Sequence, residues 1–525
     1  MRAKTHNTID EHVITARRVS TPLIAIETPD PGATNKLLLA AVETFDAERD
    51  RPISAQFVWD AVNGIRPVND QAAQALSSML EPVGGDALAT AHPTQALNVL
   101  ATAPRNAFVI MANVHLYWEA SRLDPSVVQA LWNLRDSYKA NGRTLVMTVP
   151  TCVLPAELRH DVVVFAEPLP QCDDFKQIVS GVYKSGQLDA PSDEVMDEAV
   201  HALAGLAPQQ AEQVAAMSLR KTGLDMDAMR QHQRDTIKQT PGVKVCDGDT
   251  TFDQLRGLGA IAGFIRSVIK GKRPPRAFVF IDEIEKMMAG AFGGGDSSGT
   301  SQEQHGYTLK FMEENDVDGV IVVGGPGTGK TALCQASGNE ANCWTLEADF
   351  GAMKGSLVGE TGHMTRRAFD VIKAIGQGSL FFIATCNNID NLPPELRRRF
   401  KQGVWYVETP DKSTLKALWK LYGKKFSVKT SGVTFDKGWT GSDVKNCCQT
   451  ADRLGISVRE ASRFICPIAK SSPEVIKKLR RLAHNRFLDA ANGGIYQDAA
   501  APAPSDDASF VGETPTDRIF DMDES

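Results

Sequence analysis

The sequence lacks long apolar runs. Nowhere do about 18 apolar residues follow one another without interruption, which is the length that a membrane-spanning helix requires. The first twenty residues also lack an apolar core of the length found in secretory signal peptides. From these two absences we expect a cytoplasmic protein with no membrane partner.

The sequence also lacks clustered cysteines at metal-binding spacing. The chain has nine cysteines, and its one close pair, Cys447 and Cys448, is adjacent rather than spaced as C-x-x-C. This spacing argues against a zinc site and against a disulfide framework. We therefore predict reduced thiols that fill the core as small apolar side chains.

Net charge is confined to one end of the chain. The formal charge of −7 equals that of residues 491–525, which hold eight acidic residues and one arginine. The rest of the chain has no excess of basic residues. Composition therefore gives no argument for a nucleic-acid partner.

What the sequence does contain is an alternation of short apolar runs with helical patterns, with five such runs in each half. This alternation is typical of α/β domains, in which helices cover both faces of a largely parallel sheet. Two stretches that begin at Thr144 and Leu380 repeat one pattern: an apolar strand, then L-P-x-E-L-R, then a second apolar strand. The repeat indicates two copies of one three-layer domain.

The predicted organisation has five segments. Both ends of the chain lack a periodic apolar face and are predicted to be disordered. A small helical lid is expected behind each α/β domain. The segments are a disordered N-terminus (1–20), a first domain with its lid (21–240), a second core (241–408), a C-terminal lid (409–490) and an acidic tail (491–525).

The stretch GGPGTGKT (residues 324–331) matches the phosphate-binding pattern G-x-x-x-x-G-K-[ST] between a predicted strand and a predicted helix. Its glycines allow backbone N–H groups to turn inward around phosphate oxygens, and the helix N-terminus adds a positive dipole. Lys330 supplies a positive charge, and the Thr331 hydroxyl suits Mg²⁺. The residues predicted to bind ATP are Gly324, Gly325, Pro326, Gly327, Thr328, Gly329, Lys330, Thr331 and Ala332.

The stretch FVFIDEIEK (residues 278–286) predicts an apolar strand that ends in an acidic pair. Beside a phosphate-binding loop, Asp282 is suited to hold a water bound to Mg²⁺, and Glu283 to polarise the attacking water. A buried strand that merely ends in surface acids is the plain alternative. No strand predicted after the loop ends in Asp-Glu, so this pair is the one available to the site.

Further polar groups follow the strand predicted in LFFIATC (residues 380–386). Asn387 suits the orientation of the water or the γ-phosphate, although an asparagine that only forms a turn has the same sequence. Arg397, Arg398 and Arg399 end the next helix. They form either a solvated face or, in an oligomeric ATPase, a finger that reaches the γ-phosphate of the neighbouring subunit. We favour Arg399 as the finger, with Arg398 as the alternative.

Residues 250–490 resemble the AAA+ ATPases, and specifically the AAA branch with its metalloprotease, katanin-like and proteasomal members. The matching stretches are TFDQLRGLG, MKGSLVGETGHMTRRAF and ATCNNIDNLPPELRRRF. The resemblance implies the sheet order 5-1-4-3-2, hydrolysis of Mg-ATP, and a ring-shaped homo-oligomer such as a hexamer. By position it implies Lys330 and Thr331 for nucleotide and Mg²⁺, Asp282 and Glu283 for metal and water, Asn387 as the sensor and Arg399 as the finger.

Two departures from the family pattern bear on function. The finger run is one residue shorter than the usual L-R-x-G-R-F, which leaves the choice among the three arginines open. The predicted pore loop (residues 356–359) has Leu357 where substrate-threading members usually carry an aromatic residue. Peptide threading is therefore a weaker expectation than ATP hydrolysis.

The acidic strand precedes the phosphate loop here, whereas it follows the loop in the family. We interpret this order as a permuted core in which each rerouted connection moves by one strand spacing, about 4.8 Å. Similar permuted cores occur among tailed-phage proteins. An inactive AAA-like domain before an AAA core resembles an AAA family encoded in plastid and cyanobacterial genomes. These resemblances imply the cytoplasm of a bacterium or of a phage-infected host.

The first half lacks the catalytic motifs. Where the phosphate loop would lie it has ETPDPGATNKLL, without Gly-Lys-Ser/Thr, and where the acidic strand would end it has Asn113 and His115. We expect His115 to be ordinary polar surface rather than a ligand. The first half is therefore predicted to be an inactive copy in the usual strand order.

These patterns favour an ATPase that couples Mg-ATP hydrolysis to the remodelling of a macromolecular client, and a protein client in the first place. Two alternatives stay open. The basic helix SSPEVIKKLRRLAHNR (residues 471–486) would suit an ATPase acting on nucleic acid, although such a face is also typical of a solvated lid. A nucleotide-gated scaffold without turnover is the other alternative, but it has no need of Glu283 beside Asp282.

Overall fold

The computed structural model describes residues 8–49, 51–118, 123–246, 248–287, 300–353, 360–431, 438–467 and 473–498. The chain forms two compact units. The first comprises residues up to 252 together with 265–321 and 331–402, and the second comprises 253–264, 322–330 and the residues from 403 onward.

The first half of the chain folds around a six-stranded sheet. Its strands are β1 (Leu23–Glu27), β2 (Gln56–Asp60), β3 (Gly64–Pro67), β4 (Phe108–Ala112), β5 (Thr144–Val149) and β6 (Val163–Ala166). They lie in the order β3-β2-β4-β5-β1-β6, and all neighbours are parallel except β2 and β3. Apart from β3, which the sequence did not predict, this is the predicted order 5-1-4-3-2.

Helices cover both faces of this sheet. They are α1 (Ile9–Arg18), α2 (Pro31–Ala47), α3 (Asp70–Leu80), α4 (Pro93–Leu100) and α5 (Pro125–Ala140). Successive residues of a strand point to opposite faces. Leu23 and Ala25 of β1 accordingly enter one buried cluster, while Ile24 and Ile26 enter another. The first half is thus the three-layer α/β domain that the alternating pattern predicted.

Helix α1 corrects the expectation of a disordered N-terminus. Ile9, Val13 and Ala16 recur at helical spacing, and all three are buried in the cluster that contains Ile24. The expectation was wrong for residues 9–18 because this apolar stripe is short, and a helix of that length is stabilised by docking on the sheet rather than by its own propensity.

Four helices form the segment predicted as the first lid. They are α6 (Cys172–Ser185), α7 (Asp193–Leu203), α8 (Pro208–Ser218) and α9 (Met226–Ile237). An antiparallel pair, β7 (Leu219–Arg220) and β8 (Gly223–Leu224), connects α8 to α9.

The second half builds a seven-stranded sheet. Its strands are β9 (Val243–Val245), β10 (Ala277–Ile281), β11 (Asp318–Gly324), β12 (Trp344–Ala348), β13 (Leu380–Cys386), β14 (Val404–Val407) and β15 (Leu488–Asp489). Their order is β15-β14-β11-β13-β10-β12-β9. When β11 is counted as strand 1, β12 as 2, β10 as 3, β13 as 4 and β14 as 5, the central five follow the order 5-1-4-3-2. The edge strands β9 and β15 were not predicted.

Strand β10 is wholly buried and pairs in parallel with β12 and β13. Its Phe278 packs edge-on against Phe381 of β13, with ring centroids 5.8 Å apart. Helices described before the C-terminal lid in this half include α10 (Gly259–Ile269), α11 (Thr300–Glu314), α12 (Lys330–Ala341), α13 (Glu360–Gly376) and α14 (Pro394–Arg399). Phe311 of α11 packs on Phe369 of α13, with centroids 4.6 Å apart. The continuous apolar run of β10 is typical of a strand that is covered on both faces.

The C-terminal lid contains α15 (Lys412–Lys425), α16 (Gly441–Leu454), α17 (Val458–Ala461) and α18 (Pro473–Ala483). Cys447 and Cys448 are fully buried in its core together with Trp419 and Trp439. Short 3-10 helices of the chain cover Glu81–Val83, Ala87–Thr90, Val114–Tyr117, Phe252–Gln254, Ile389–Asn391 and, in the lid, Ser462–Phe464. No helix in the described ranges has both the length and the apolar character needed to cross a bilayer.

The start of the acidic tail also departs from the expectation of disorder. Gly493 and Gly494 have φ of 81° and 72° and turn the chain so that Ile495 bridges to Leu488. Tyr496 is buried. The prediction was wrong for residues 491–498 because a two-glycine turn, rather than an apolar periodicity, folds this segment back.

Candidate active site

The glycine-rich loop lies between β11, which is buried almost throughout, and α12, which begins at Lys330. Gly327 and Gly329 have left-handed backbone conformations, with φ of 78° and 94°. Residues with a side chain rarely adopt such values. The turn itself therefore needs these two glycines, and α12 starts with its N–H groups directed at the loop.

The C-terminal lid begins directly against this loop. Ser442 N, at the start of α16, donates to Gly327 O over 3.2 Å, and a Cβ at Gly327 would lie 2.6 Å from Thr440 Oγ1. A Cβ at Gly324 would lie 2.8 Å from the carbonyl oxygen of Val407. Neither position has room for a side chain, so the loop packs closely against the start of the lid at Gly327 and against the end of β14 at Gly324.

The Lys330 ammonium is held at the loop. Its Nζ donates to the carbonyl oxygens of Gly324 at 2.8 Å and Gly325 at 2.9 Å, and only 8% of the residue is exposed. The Thr328 hydroxyl donates to Gly325 O at 2.8 Å. A phosphate oxygen is a stronger acceptor for an ammonium than a carbonyl oxygen is. The contacts therefore place the lysine where an anion on the loop would capture it.

The acidic pair follows β10 as the sequence predicted. Asp282 is exposed, and Glu283 has a φ of 48°, a left-handed value that is uncommon for a residue with a side chain. Thr385, near the end of the neighbouring strand β13, contacts both. Glu283 N donates to Thr385 Oγ1 at 2.9 Å, and Thr385 Oγ1 donates to Asp282 Oδ1 at 2.6 Å.

Asn387 is joined to the same acidic segment. Its Nδ2 donates to Glu283 Oε1 at 2.8 Å, and its backbone N donates to Glu285 Oε1 at 2.9 Å. Lys286 forms an ion pair with Glu283, and this hydrogen bond raises the pKa of the Lys286 ammonium. The structure thus brings together Asp282, Glu283 and Asn387, three of the residues that the sequence singled out.

The Asp282 carboxylate acts electrostatically on Cys334, in the second turn of α12. Burial raises the pKa of the Cys334 thiol well above its ordinary value, and the charges of Cys246 and Asp282 raise it further. Cys334 lies three residues after Thr331 and so shares its helix face. Thr331 is exposed, as is Asp282. An accessible hydroxyl and an accessible carboxylate are the oxygen ligands that suit Mg²⁺ when phosphates complete its coordination.

The three arginines of the finger run have different surroundings. Arg397 Nε donates to the carbonyl oxygen of Leu392 at 2.9 Å. Arg399 Nη2 donates to Glu313 Oε2 at 2.9 Å. Arg398 is exposed. The pore loop predicted at residues 356–359 lies outside the described residues.

The basic helix of the C-terminal lid is α18. Arg480 makes a two-pronged contact with Glu408, from Nε to Oε2 at 2.9 Å and from Nη2 to Oε1 at 2.8 Å. Lys477 Nζ donates to Glu474 Oε1 at 2.9 Å. These bonds engage part of the positive charge that the nucleic-acid alternative would need.

Two family models match the chain. The model described as "SpoVK-like AAA ATPase, N-terminal domain" matches residues 11–166, and the model described as "ATPase family associated with various cellular activities (AAA)" matches residues 320–383. Both models describe AAA ATPases, so two separate parts of the chain are similar to that family. The second match begins in β11 and ends in β13, so it contains the glycine-rich loop and not Asp282.

Two relatives described as AAA domain-containing proteins match most of the chain, and a third matches a shorter part. An uncharacterized AAA domain-containing protein ycf46 from Guillardia theta is 22% identical over 91% of this chain and 92% of its own length. The ycf46 protein of Gracilaria tenuistipitata var. liui is 19% identical over 78% of this chain and 85% of its own. A proteasome-activating nucleotidase from Sulfurisphaera tokodaii is 26% identical over 28% of this chain and 50% of its own.

The first AAA-like sheet has a different arrangement at the corresponding turn, between β1 and α2. Asp30 caps α2 by accepting from Ala33 N at 3.0 Å. The Thr34 hydroxyl lies 2.8 Å from Thr28 Oγ1 and 2.6 Å from Glu167 Oε2. Side chains of the domain itself therefore occupy the place where an AAA loop would face phosphate.

The sequence predicted the surroundings of the residues after β4 only in part. Asn113 has a left-handed φ of 57°. His115 is 92% buried, so the expectation of polar surface was wrong. The reason is that a 3-10 helix at Val114–Tyr117 turns the chain back over the sheet.

Sequence reasoning missed three residues that contact the candidate site. Thr385 appears in LFFIATC as an ordinary strand residue, although a single hydroxyl in an apolar strand next to the acidic strand was a usable signal. Glu285 was not singled out because the Asp-Glu pair just before it matched the expected pattern. Ser442 lies in a helix that was assigned to the lid without any contact to the loop. Each depends on strand register or lid docking, which a single sequence does not fix.

Proposed function

We propose that this AAA protein binds Mg-ATP at the glycine-rich loop, hydrolyses it, and uses the cycle to remodel a protein client. The observation that carries the proposal is the hydrogen-bonded set at the ends of β10 and β13, where Asp282, Glu283 and Asn387 converge. A scaffold that only binds nucleotide has no use for a glutamate held by an amide side chain beside a metal-binding aspartate.

In this proposal the loop residues 324–332 bind the phosphates, and Lys330 exchanges its carbonyl contacts for phosphate oxygens. Thr331 and Asp282 would hold Mg²⁺, which when bound neutralises phosphate charge. Glu283 accepts a proton from the attacking water, and Asn387 holds the glutamate carboxylate in place. This chain's part is thus to bind, to orient and to take up a proton.

We further propose that the site is completed by a neighbouring subunit in a ring such as a hexamer. Arg399 is the proposed finger because it stands last in the run, and Arg398 is the exposed alternative. In the isolated chain the Arg399 guanidinium is bonded to Glu313, so assembly would exchange that carboxylate for a γ-phosphate. The likeness to a proteasome-activating nucleotidase supports a protein client. The engaged arginine of α18 gives the nucleic-acid alternative less support.

The test is ATP turnover by the full chain against protein concentration. Glu283→Gln should lower kcat at least about 100-fold while ATP still binds, since the general base is lost and the phosphate contacts are kept. Glu212→Gln, which changes an exposed acid on α8, is the matched control. Turnover by Glu283→Gln at the wild-type rate would overturn the assignment of the base.

The same assay tests the shared site. Wild-type turnover per subunit should rise with protein concentration, and Arg399→Ala should lower kcat about 100-fold or more without a loss of ATP affinity. If Arg398→Ala has that effect and Arg399→Ala does not, the finger is Arg398. Turnover that is independent of concentration, with both variants active, would exclude a site completed by a neighbour.

A further inference from the structure

Thr385 occupies a special register position. Ile281 of β10 pairs with Ala384 of β13, so the next residues along the two parallel strands, Asp282 and Thr385, stand opposite each other. Thr385 is fully buried. Its hydroxyl is thus a polar group carried by an apolar strand to the point where the acidic pair leaves the sheet.

The two hydrogen bonds of this hydroxyl have fixed directions. A backbone N–H can only donate and an ionised carboxylate can only accept. The Thr385 hydroxyl therefore accepts from Glu283 N at 2.9 Å and donates its one proton to Asp282 Oδ1 at 2.6 Å. The second distance is typical of a hydroxyl bound to a charged oxygen. One side chain thereby orients the carboxylate of Asp282 and the backbone of Glu283.

The hydrogen bond to Thr385 stabilises an uncommon backbone conformation of Glu283. Its φ of 48° lies in the left-handed region, which a residue with a side chain adopts only at a cost in free energy. The bond from its N–H to Thr385 and the bond from Asn387 to its carboxylate fix it at both ends. Without the hydroxyl, this peptide would lose the acceptor that keeps it in the left-handed turn.

The inactive copy in the same chain lacks this hydroxyl. There Ala112 of β4 pairs with Thr148 of β5, so the residues that follow, Asn113 and Val149, stand where Asp282 and Thr385 stand in the active copy. The chain thus pairs threonine with the aspartate and valine with the asparagine. The exchange of Thr for Val keeps the shape and removes only the hydrogen bonds.

We propose that Thr385 is a positioning residue for Mg-ATP hydrolysis. Its hydroxyl orients the Asp282 carboxylate, which would help to hold Mg²⁺, and fixes Glu283 in the turn from which its carboxylate would accept a proton. The inference rests on the proposed ATPase function. It predicts that loss of the hydroxyl weakens the response to Mg²⁺ and slows the chemical step, while the loop still binds nucleotide.

The experiment compares Thr385→Val and Thr385→Ser with Thr345→Val, which removes another buried threonine hydroxyl of the same sheet. We expect Thr385→Val to lower kcat about 10- to 100-fold and to raise the half-saturating Mg²⁺ concentration about tenfold, with KM for ATP changed less than about threefold. Thr385→Ser should restore both values to within about threefold of wild type, and Thr345→Val should match wild type. If Thr385→Val fails to fold, Thr385→Ala takes its place.

Wild-type kcat and wild-type Mg²⁺ dependence in a folded Thr385→Val protein would overturn the inference and leave the proposed function intact. If the wild-type chain itself shows no turnover, the proposed function fails. The inference is then decided by the Kd for ATP with and without Mg²⁺. The gain in affinity that Mg²⁺ gives should shrink about tenfold in Thr385→Val, and an unchanged gain would overturn it.

Discussion

The turn between β1 and α2 and the turn between β11 and α12 lie at the same position in two sheets of the same strand order, but their residues favour different partners. In the first copy, the turn between β1 and α2 is closed by its own side chains: Asp30 accepts from the backbone of Ala33, and Thr34 contacts Thr28 and Glu167. In the second copy, the turn between β11 and α12 contains Gly327 and Gly329 in left-handed conformations, and the first turn of α12 has no acidic residue.

The difference lies in what satisfies the helix N-terminus. The first N–H groups of any helix need acceptors from outside the helix. In the first copy a carboxylate of the chain supplies one, and Asp30 and Glu167 would repel a phosphate. In the second copy the loop directs N–H groups and Lys330 at the same point, so an external anion is the best acceptor available. Both sheets offer the same place, and under the proposed function a few side chains decide whether nucleotide binds there.

A second pair of equivalent residues makes the same point. Glu167 follows β6 in the first copy and Glu408 follows β14 in the second. The first accepts from Thr34 at the start of α2, whereas the second accepts from Arg480 of α18 and from the Tyr496 hydroxyl. In the second copy the glutamate is thus engaged by the C-terminal lid and its following segment.

The largest effect expected from this comparison concerns Lys330, at the start of α12, and Lys36, in the helix that follows the corresponding turn of the first copy. Lys330→Ala should lower kcat about 100- to 1000-fold and weaken ATP binding, because the buried ammonium at the loop is lost. Lys36→Ala, which removes an exposed lysine from α2, should change neither. Phosphate release and binding of a fluorescent ATP analogue measure both variants. A matching loss in Lys36→Ala would break the contrast between the copies.

Much of this contrast was predictable from the sequence, and its limits have physical causes. Apolar runs and motif spacing predicted the ten main strands, the loop and the acidic pair, because these features are local. The edge strands β9 and β15, the docked helix α1 and the fold-back at Gly493 and Gly494 depend on surfaces formed by distant segments. The role of Thr385 depends on the register between β10 and β13. The contact between Arg480 and Glu408 joins residues 72 positions apart, so the sequence shows Arg480 only as one more basic residue.

A smaller effect is expected at Glu408. Arg480→Ala should lower the free energy of unfolding by about 1 to 2 kcal/mol at pH 7, because a half-buried carboxylate loses a two-pronged, charge-assisted contact. Arg481→Ala, which removes an exposed arginine of the same helix, should change stability by less than about 0.5 kcal/mol. Urea titrations of the full chain compare the two. Equal effects would mean that the Glu408 contact contributes nothing specific.

The pH dependence of that difference sharpens the test. Burial opposes ionisation of Glu408, but hydrogen bonds from Arg480, Tyr496 and Thr409 outweigh it and hold the pKa below its ordinary 4.5. The folded-state pKa is lowered, so the stabilisation is present above pH 4.5 and is lost as the pH falls through the folded value. The destabilisation by Arg480→Ala should therefore shrink below pH 4.5. A difference that stays constant down to pH 3 would contradict this account of the pair.

The smallest effect concerns the cap that closes the first copy. Asp30→Ala should lower the free energy of unfolding by about 1 kcal/mol, because Ala33 N loses its acceptor at the start of α2, while Asp30→Asn keeps the cap and should change it by less than about 0.5 kcal/mol. ATP turnover should match wild type in both, with one nucleotide bound per chain by equilibrium titration, since removing the carboxylate supplies neither the glycine turn nor the lysine. Two nucleotides bound per chain in Asp30→Ala would mean that the cap alone keeps the first copy silent, and the distinction between the turns would then rest on one residue.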